Sequence, residues 1–91
     1  IRIPDKFSFK PAYPNPFNPS TALEFGLPSE DFVKLSIYDI NGRLVETLID
    51  EKVYAGYHKL NWNGVNQSSG IYFVRIQTSN SFDIQKIMLI K

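Results

Sequence analysis

Cysteine is absent from the 91 residues. Disulfides, thiolate nucleophiles, iron–sulfur clusters and cysteine zinc sites are therefore excluded together, and stability must come from packing. The absence does not fix the compartment, since an extracellular module can do without disulfides if its core suffices. Histidine occurs once, at His58, so a Ser-His-Asp arrangement would have to be built around that residue. Its phase with Leu60 and Trp62 instead gives it the place of a half-buried sheet histidine. Neither sign of charge dominates: ten Lys or Arg against nine Asp or Glu leave +1, with no run of either. Nucleic-acid binding and electrostatic membrane binding both need a concentrated basic face, and neither is indicated. No apolar run approaches 18 residues, which argues against a membrane span, and Ile1-Arg2-Ile3-Pro4-Asp5 has neither the basic nor the apolar part of an export signal. A start at Ile rather than Met reads as part of a longer polypeptide, with any signal peptide far upstream.

Dedicated chemistry is equally thin. Phosphate-cradling glycine motifs are missing, and Asp39-Ile40-Asn41-Gly42 resembles only the first half of a calcium loop, because positions 43–50 supply no ligand set at the required spacing. No metal or cofactor is predicted. Most of the acidic residues fall in turns or on outward strand positions, where solvation and edge protection explain them better than paired-carboxylate catalysis. Asn66-Gln67-Ser68 matches a glycosylation sequon and reads as an exposed loop, whereas Asn18-Pro19-Ser20 is blocked by its proline. Tyr38 and Tyr57 sit in phase with polar positions and could form a carbohydrate platform, although cross-strand pairing accounts for them equally well.

What the chain does have is apolar material, 43% hydrophobic and 14% aromatic, enough for one small domain. A 10.5 kDa chain can bury roughly 64% of its extended surface, which gives a real but thin core. Phe7 and Phe9 alternate with Ser8 and Lys10 in a stretch, residues 1–11, that reads as a linker or a short first strand. Residues 11–20 then hold four of the six prolines, which forbids a helix or a central strand and predicts a rigid extended segment pinned to the core by Tyr13 and Phe17.

Beyond it, Leu23, Phe25 and Leu27 alternate with Ala22, Glu24 and Gly26, and Val33, Leu35 and Ile37 with Lys34, Ser36 and Tyr38. Asn41-Gly42 can supply two positive φ values for a tight hairpin turn. Residues 43–49 fit either a short amphipathic helix or a strand, and the preceding turn favours the strand. Leu60 and Trp62, then Tyr72, Val74 and Ile76, mark two more strands, and a last one covers Ile84 to Ile90. The predicted inward set is Leu23, Phe25, Val33, Leu35, Ile37, Leu60, Trp62, Val74 and Ile76. Seven or eight short strands between turns, with no convincing helix, make an antiparallel β-sandwich.

Five stretches in order carry a more specific message: Tyr13 to Thr21, Leu35 to Val45, Ala55-Gly56-Tyr57-His58, Ser69-Gly70-Ile71-Tyr72-Phe73, and Lys86 to Lys91. Together they resemble the type A C-terminal sorting domain of the type IX (Por) secretion system over residues 12–91, and the same core looks like the immunoglobulin-like module of flagellar hook-capping proteins. Trp62-Asn63-Gly64 departs from the Trp-Asp-Gly of many relatives, and Leu44 stands where many have an acidic residue. These departures touch only the likeness to the hook-capping module.

The resemblance implies an immunoglobulin-like sandwich without catalytic activity, read by the outer-membrane translocon as the address of an upstream cargo in the same chain. It implies export through the periplasm to the cell surface or medium, with no direct membrane insertion, and removal in many relatives by a sortase-like peptidase. The positions that match the family's recognition motifs are Gly70 and Tyr72 of the Gly-x-Tyr motif, Lys86 in the last strand, and Lys91. A final strand with no downstream polypeptide over it would offer its edge or the Lys91 carboxylate to a receptor. The competing expectation is an accessory sandwich, a carbohydrate-binding module or spacer of a larger extracellular enzyme.

Overall fold

Alternating apolar and polar residues bury one face of each strand, and the chain satisfies seven such faces by folding two sheets against each other. The computed structural model describes residues 2–91; Ile1, the start of the stretch read as a linker, lies outside the described residues. The strands are β1 (Ser8–Phe9), β2 (Ser20–Leu27), β3 (Asp31–Asp39), β4 (Leu44–Val53), β5 (Gly56–Asn63), β6 (Gly70–Gln77) and β7 (Phe82–Leu89). One sheet has the order β1-β2-β5 and the other β4-β3-β6-β7, and every strand pairing is antiparallel. Of residues 43–49, all but Arg43 resolve as strand, at the start of the ten-residue β4.

The inward set is found where alternation places it. Leu23, Phe25, Val33, Leu35, Ile37, Trp62, Val74 and Ile76 are all buried, joined by Ala12, Phe17, Leu27, Tyr72, Ile87 and Leu89. Leu60 differs in degree. It faces inward but is only half-buried, because β5 is the edge of its sheet and the seam beside Ile49 and Val53 stays open there. Across the same side, the Trp62 indole N–H donates to Glu46 Oε1 at 3.0 Å and ties β5 to β4.

Two local readings need correction. In the β3–β4 turn only Gly42 takes a positive φ, 81°, and Asn41 does not. The Asp39 carboxylate explains the difference. Its Oδ1 accepts from the Asn41 and Arg43 amides, each at 2.9 Å, while the Gly42 N–H reaches the Asp39 carbonyl. One left-handed glycine after such a turn closes a longer hairpin loop than the two-residue form needs. The proline-rich segment also differs from its expected anchoring. Phe17 pins it, at 2% exposed with its ring 5.7 Å from that of Trp62, whereas Tyr13 is 80% exposed. Tyr13 holds through its backbone instead, exchanging hydrogen bonds with Ala22 of β2.

Candidate functional site

The four positions of the sequence motifs fall into two places. Three gather at the corner between β5 and β6. Gly70 opens β6 with φ 150°, a conformation costly for any residue with a Cβ, and pairs with Leu89 of β7. Tyr72 lies two residues on, its ring buried edge-on against Trp62 at 5.6 Å. Its hydroxyl donates back to the Ser68 carbonyl at 2.6 Å. A tyrosine near the start of this strand, bonded to the backbone just upstream, is the tyrosine corner of immunoglobulin-like sandwiches. The motif therefore shapes the corner, and the Tyr72 ring is part of the core.

Lys91 completes the corner. Its ammonium donates to the carbonyls of Val65 and Gln67 at 2.7 and 2.8 Å, and its backbone N–H reaches Ser69 Oγ at 3.0 Å. The carbonyls at 65, 67 and 68 are thus all held by Lys91 or Tyr72, which fixes an exposed loop that has little apolar burial of its own. Lys86 stands elsewhere. It is exposed on the outward face of β7, in register with Phe73, and no carboxylate lies within 4.0 Å of it among the described residues.

The last strand is not bare. Its outer edge, expected to be uncovered, is occupied by the proline-rich segment. The Phe17 N–H donates to the Met88 carbonyl and its own carbonyl accepts from Ile90, both at 2.9 Å. The Asn15 side chain copies a strand: Nδ2 donates to the Lys86 carbonyl and Oδ1 accepts from the Met88 N–H, each at 3.0 Å. Gln85 reaches across in the same way, accepting from the Ala12 N–H and donating to the Lys10 carbonyl. Proline makes this possible, because a segment unable to donate regularly cannot extend the sheet, yet it can supply amides at chosen points. Asn15 and Gln85 carried no signal in the sequence, since their partners lie more than 70 residues away.

Acid–base groups do not converge at the corner. His58 is occupied, with Nε2 2.8 Å from the Tyr54 carbonyl and its ring between Phe25 and Tyr54. Two carboxyls are held below the usual carboxylate range. Asp39 is lowered chiefly by the Arg43 amide, against desolvation, with the Asn41 amide and the Arg43 charge adding to the lowering. Asp31 is lowered chiefly by the Ser79 hydroxyl, against desolvation, with the Phe32 and Ser79 amides adding to it. Both support turns. Tyr38 and Tyr57 project from opposite sheets, outward on either side of the sandwich, so they form no common ring platform.

Three strands packed on four, with a tyrosine corner at the β5–β6 connection, define an immunoglobulin-like sandwich module. Residues 11–91 match the model of the secretion system C-terminal sorting domain, and the chain belongs to that family. No curated protein matches the chain. Among solved structures it is similar to PorZ of Porphyromonas gingivalis, an essential bacterial surface component of the type IX secretion system, with a TM-score of 0.62 and 20% identity. The alignment covers 89% of this chain and 11% of that one, and at this identity the likeness is one of fold.

Proposed function

We propose that this domain is the address by which type IX secretion machinery exports a cargo carried upstream in the same polypeptide, delivering it through the periplasm to the cell surface or medium. The observation that carries the reading is the family match over residues 11–91. The proposed recognition surface is the β5–β6 corner together with the outward side chain of Lys86. Gly70 and Tyr72 act there as positioning residues. They set the loop whose carbonyls the Lys91 ammonium holds, so a receptor meets a preformed shape and not a flexible tail. Strand addition at the outer edge of β7 is disfavoured, because residues 12–17 already occupy it from Gln85 to Ile90. Removal by a sortase-like peptidase after export is compatible with the first residues of the chain, where Arg2 and Ile3 are exposed ahead of β1. The domain itself is proposed to be non-catalytic. An accessory carbohydrate-binding role finds no support in the separated Tyr38 and Tyr57.

A periplasmically exported reporter fused to residues 1–91, expressed in a host with the type IX machinery, tests the proposal. The reporter should appear outside the outer membrane. K86Q and K91Q variants that remain folded by circular dichroism should accumulate it in the periplasm. An intact, folded fusion retained in the periplasm would overturn the sorting function. Normal export of both variants would remove the two lysines from recognition while leaving the function in place.

A further inference from the structure

The outward face of the four-stranded sheet has no role in the corner described above, and its chemistry is unusual for a solvated surface. Register places its side chains in three rows running from β3 across β6 to β7: Lys34, Gln77 and Phe82; Ser36, Arg75 and Ile84; Tyr38, Phe73 and Lys86. Tyr38, Ile40, Phe73, Phe82 and Ile84 wall a groove of about 360 Å³ with Arg75 inside it. Phe82 and Ile84 remain 56% and 47% exposed. The Arg75 guanidinium lies 5.0 Å from the centre of the Phe82 ring.

Charge on the part of this face formed by β3, β6 and β7 is one-sided. Lys34, Arg75 and Lys86 occupy successive rows on successive strands, a diagonal whose neighbours are about 8 Å apart from strand spacing and rise. Among the described residues none of the three has a carboxylate within 4.0 Å, although Asp50 of β4 is in register with Lys34. Asp39, the acid that lines the groove, is already held by Arg43 at 3.2 Å. Within the face, Ser36 is 1% exposed with an unpartnered Oγ, and Arg75 Nε is likewise buried without a partner. Buried polar atoms of this kind are uncommon and ask for an explanation.

We propose that this face binds an extended acidic peptide segment of another protein, with a carboxylate at every second residue turned toward the face. An extended peptide repeats its side chains on one face every two residues, about 7 Å apart, close to the spacing of the cation diagonal. Its carboxylates would pair with Lys34, Arg75 and Lys86 while its backbone crosses Ile84 beside Phe82, and the residues between the carboxylates point away from the sheet. A second copy of this chain fits less well, because stacking the face on itself across a two-fold axis sets cations against cations. Single-stranded nucleic acid needs open ring faces, and Arg75 already covers one face of Phe82. Lys86 belongs also to the proposed recognition surface, but the inference rests on the whole face and not on the export function, and each can fail alone.

The test uses the 91-residue chain labelled with nitrogen-15 and an acetylated hexapeptide alternating aspartate with serine. Titration should shift the amides of Tyr38, Phe73, Arg75, Phe82 and Ile84 together. The same peptide with lysine for aspartate should produce no such shifts. Arg75→Gln should weaken binding at least fivefold; if that variant does not fold, the exposed changes K86Q and Phe82→Ser take its place with the same expectation. Shifts spread over the surface, equal binding of the lysine peptide, unchanged affinity in the folded variants, competition by an oligothymidylate, or a dimer in sedimentation that buries this face would each overturn the proposal.

Discussion

The hydroxyl of Tyr72 and the ammonium of Lys91 serve one purpose, holding three carbonyls of the β5–β6 loop. A hydrogen bond of this sort contributes about 0.5–1.5 kcal/mol net, more where charge assists. Tyr72→Phe keeps the buried ring and loses only the bond, so it should lower stability by about 1 kcal/mol in denaturant unfolding. Lys91→Met should cost a similar amount, whereas Lys86→Met should stay within about 0.5 kcal/mol because that side chain holds nothing. Equal effects from both lysines would show that the contacts of Lys91 do not form in solution. Burial of Tyr72 was legible from alternation with Val74 and Ile76. The grip of Lys91 was not, because the loop carbonyls it meets lie 24 and 26 residues away and are brought together only by the finished sandwich.

Strands were the most legible elements, since period-two alternation fixes both their extent and their inward face. Turns and edges were less so. Asn41-Gly42 announced a hairpin, but the detail belongs to Asp39, whose carboxylate competes for the turn amides and so selects a loop with a single left-handed residue. That carboxylate gives the hairpin a pH dependence. Because the folded state holds the Asp39 pKa below its unfolded value, the unfolded chain binds the proton more readily. The contribution is fully present above the unfolded pKa, about 3.9, and is lost as pH falls through the lower folded value. Unfolding measured from pH 6 down to pH 2 should show this loss. Asp39→Asn should flatten the slope below pH 4, with the residual slope left to Asp31 and the other carboxyls. An unaltered slope in the variant would mean that the Arg43 and Asn41 amides do not favour the charged form.

At the scale of the whole molecule the proline-rich segment joins the two sheets, meeting β2 through Tyr13 and β7 through Phe17. Its rigidity could be read from four prolines, and its anchoring from Phe17, but not which strand edge it would cover. Covering matters because an exposed strand edge invites pairing with other chains, and β7 would otherwise present Met88 and Ile90 unpaired. The opposite side of the sandwich is managed differently, with charged residues along β4 and the Trp62–Glu46 bond. Phe17 is the one large apolar side chain of the segment that is fully buried, and it packs on Trp62, which in turn packs on Tyr72. Removing it should therefore unseat the segment as a unit. Phe17→Ala should cost about 3–5 kcal/mol from lost burial and the cavity left behind, a large share of the roughly 5–15 kcal/mol available to a small domain. Hydrogen exchange should show the mechanism: the amides of Met88 and Ile90, which point toward the segment, should lose protection well before those of Ile87 and Leu89, which point toward β6. A variant that loses less than 1 kcal/mol and keeps Met88 and Ile90 protected would show that the side-chain amides of Asn15 and Gln85 hold the segment without its anchor.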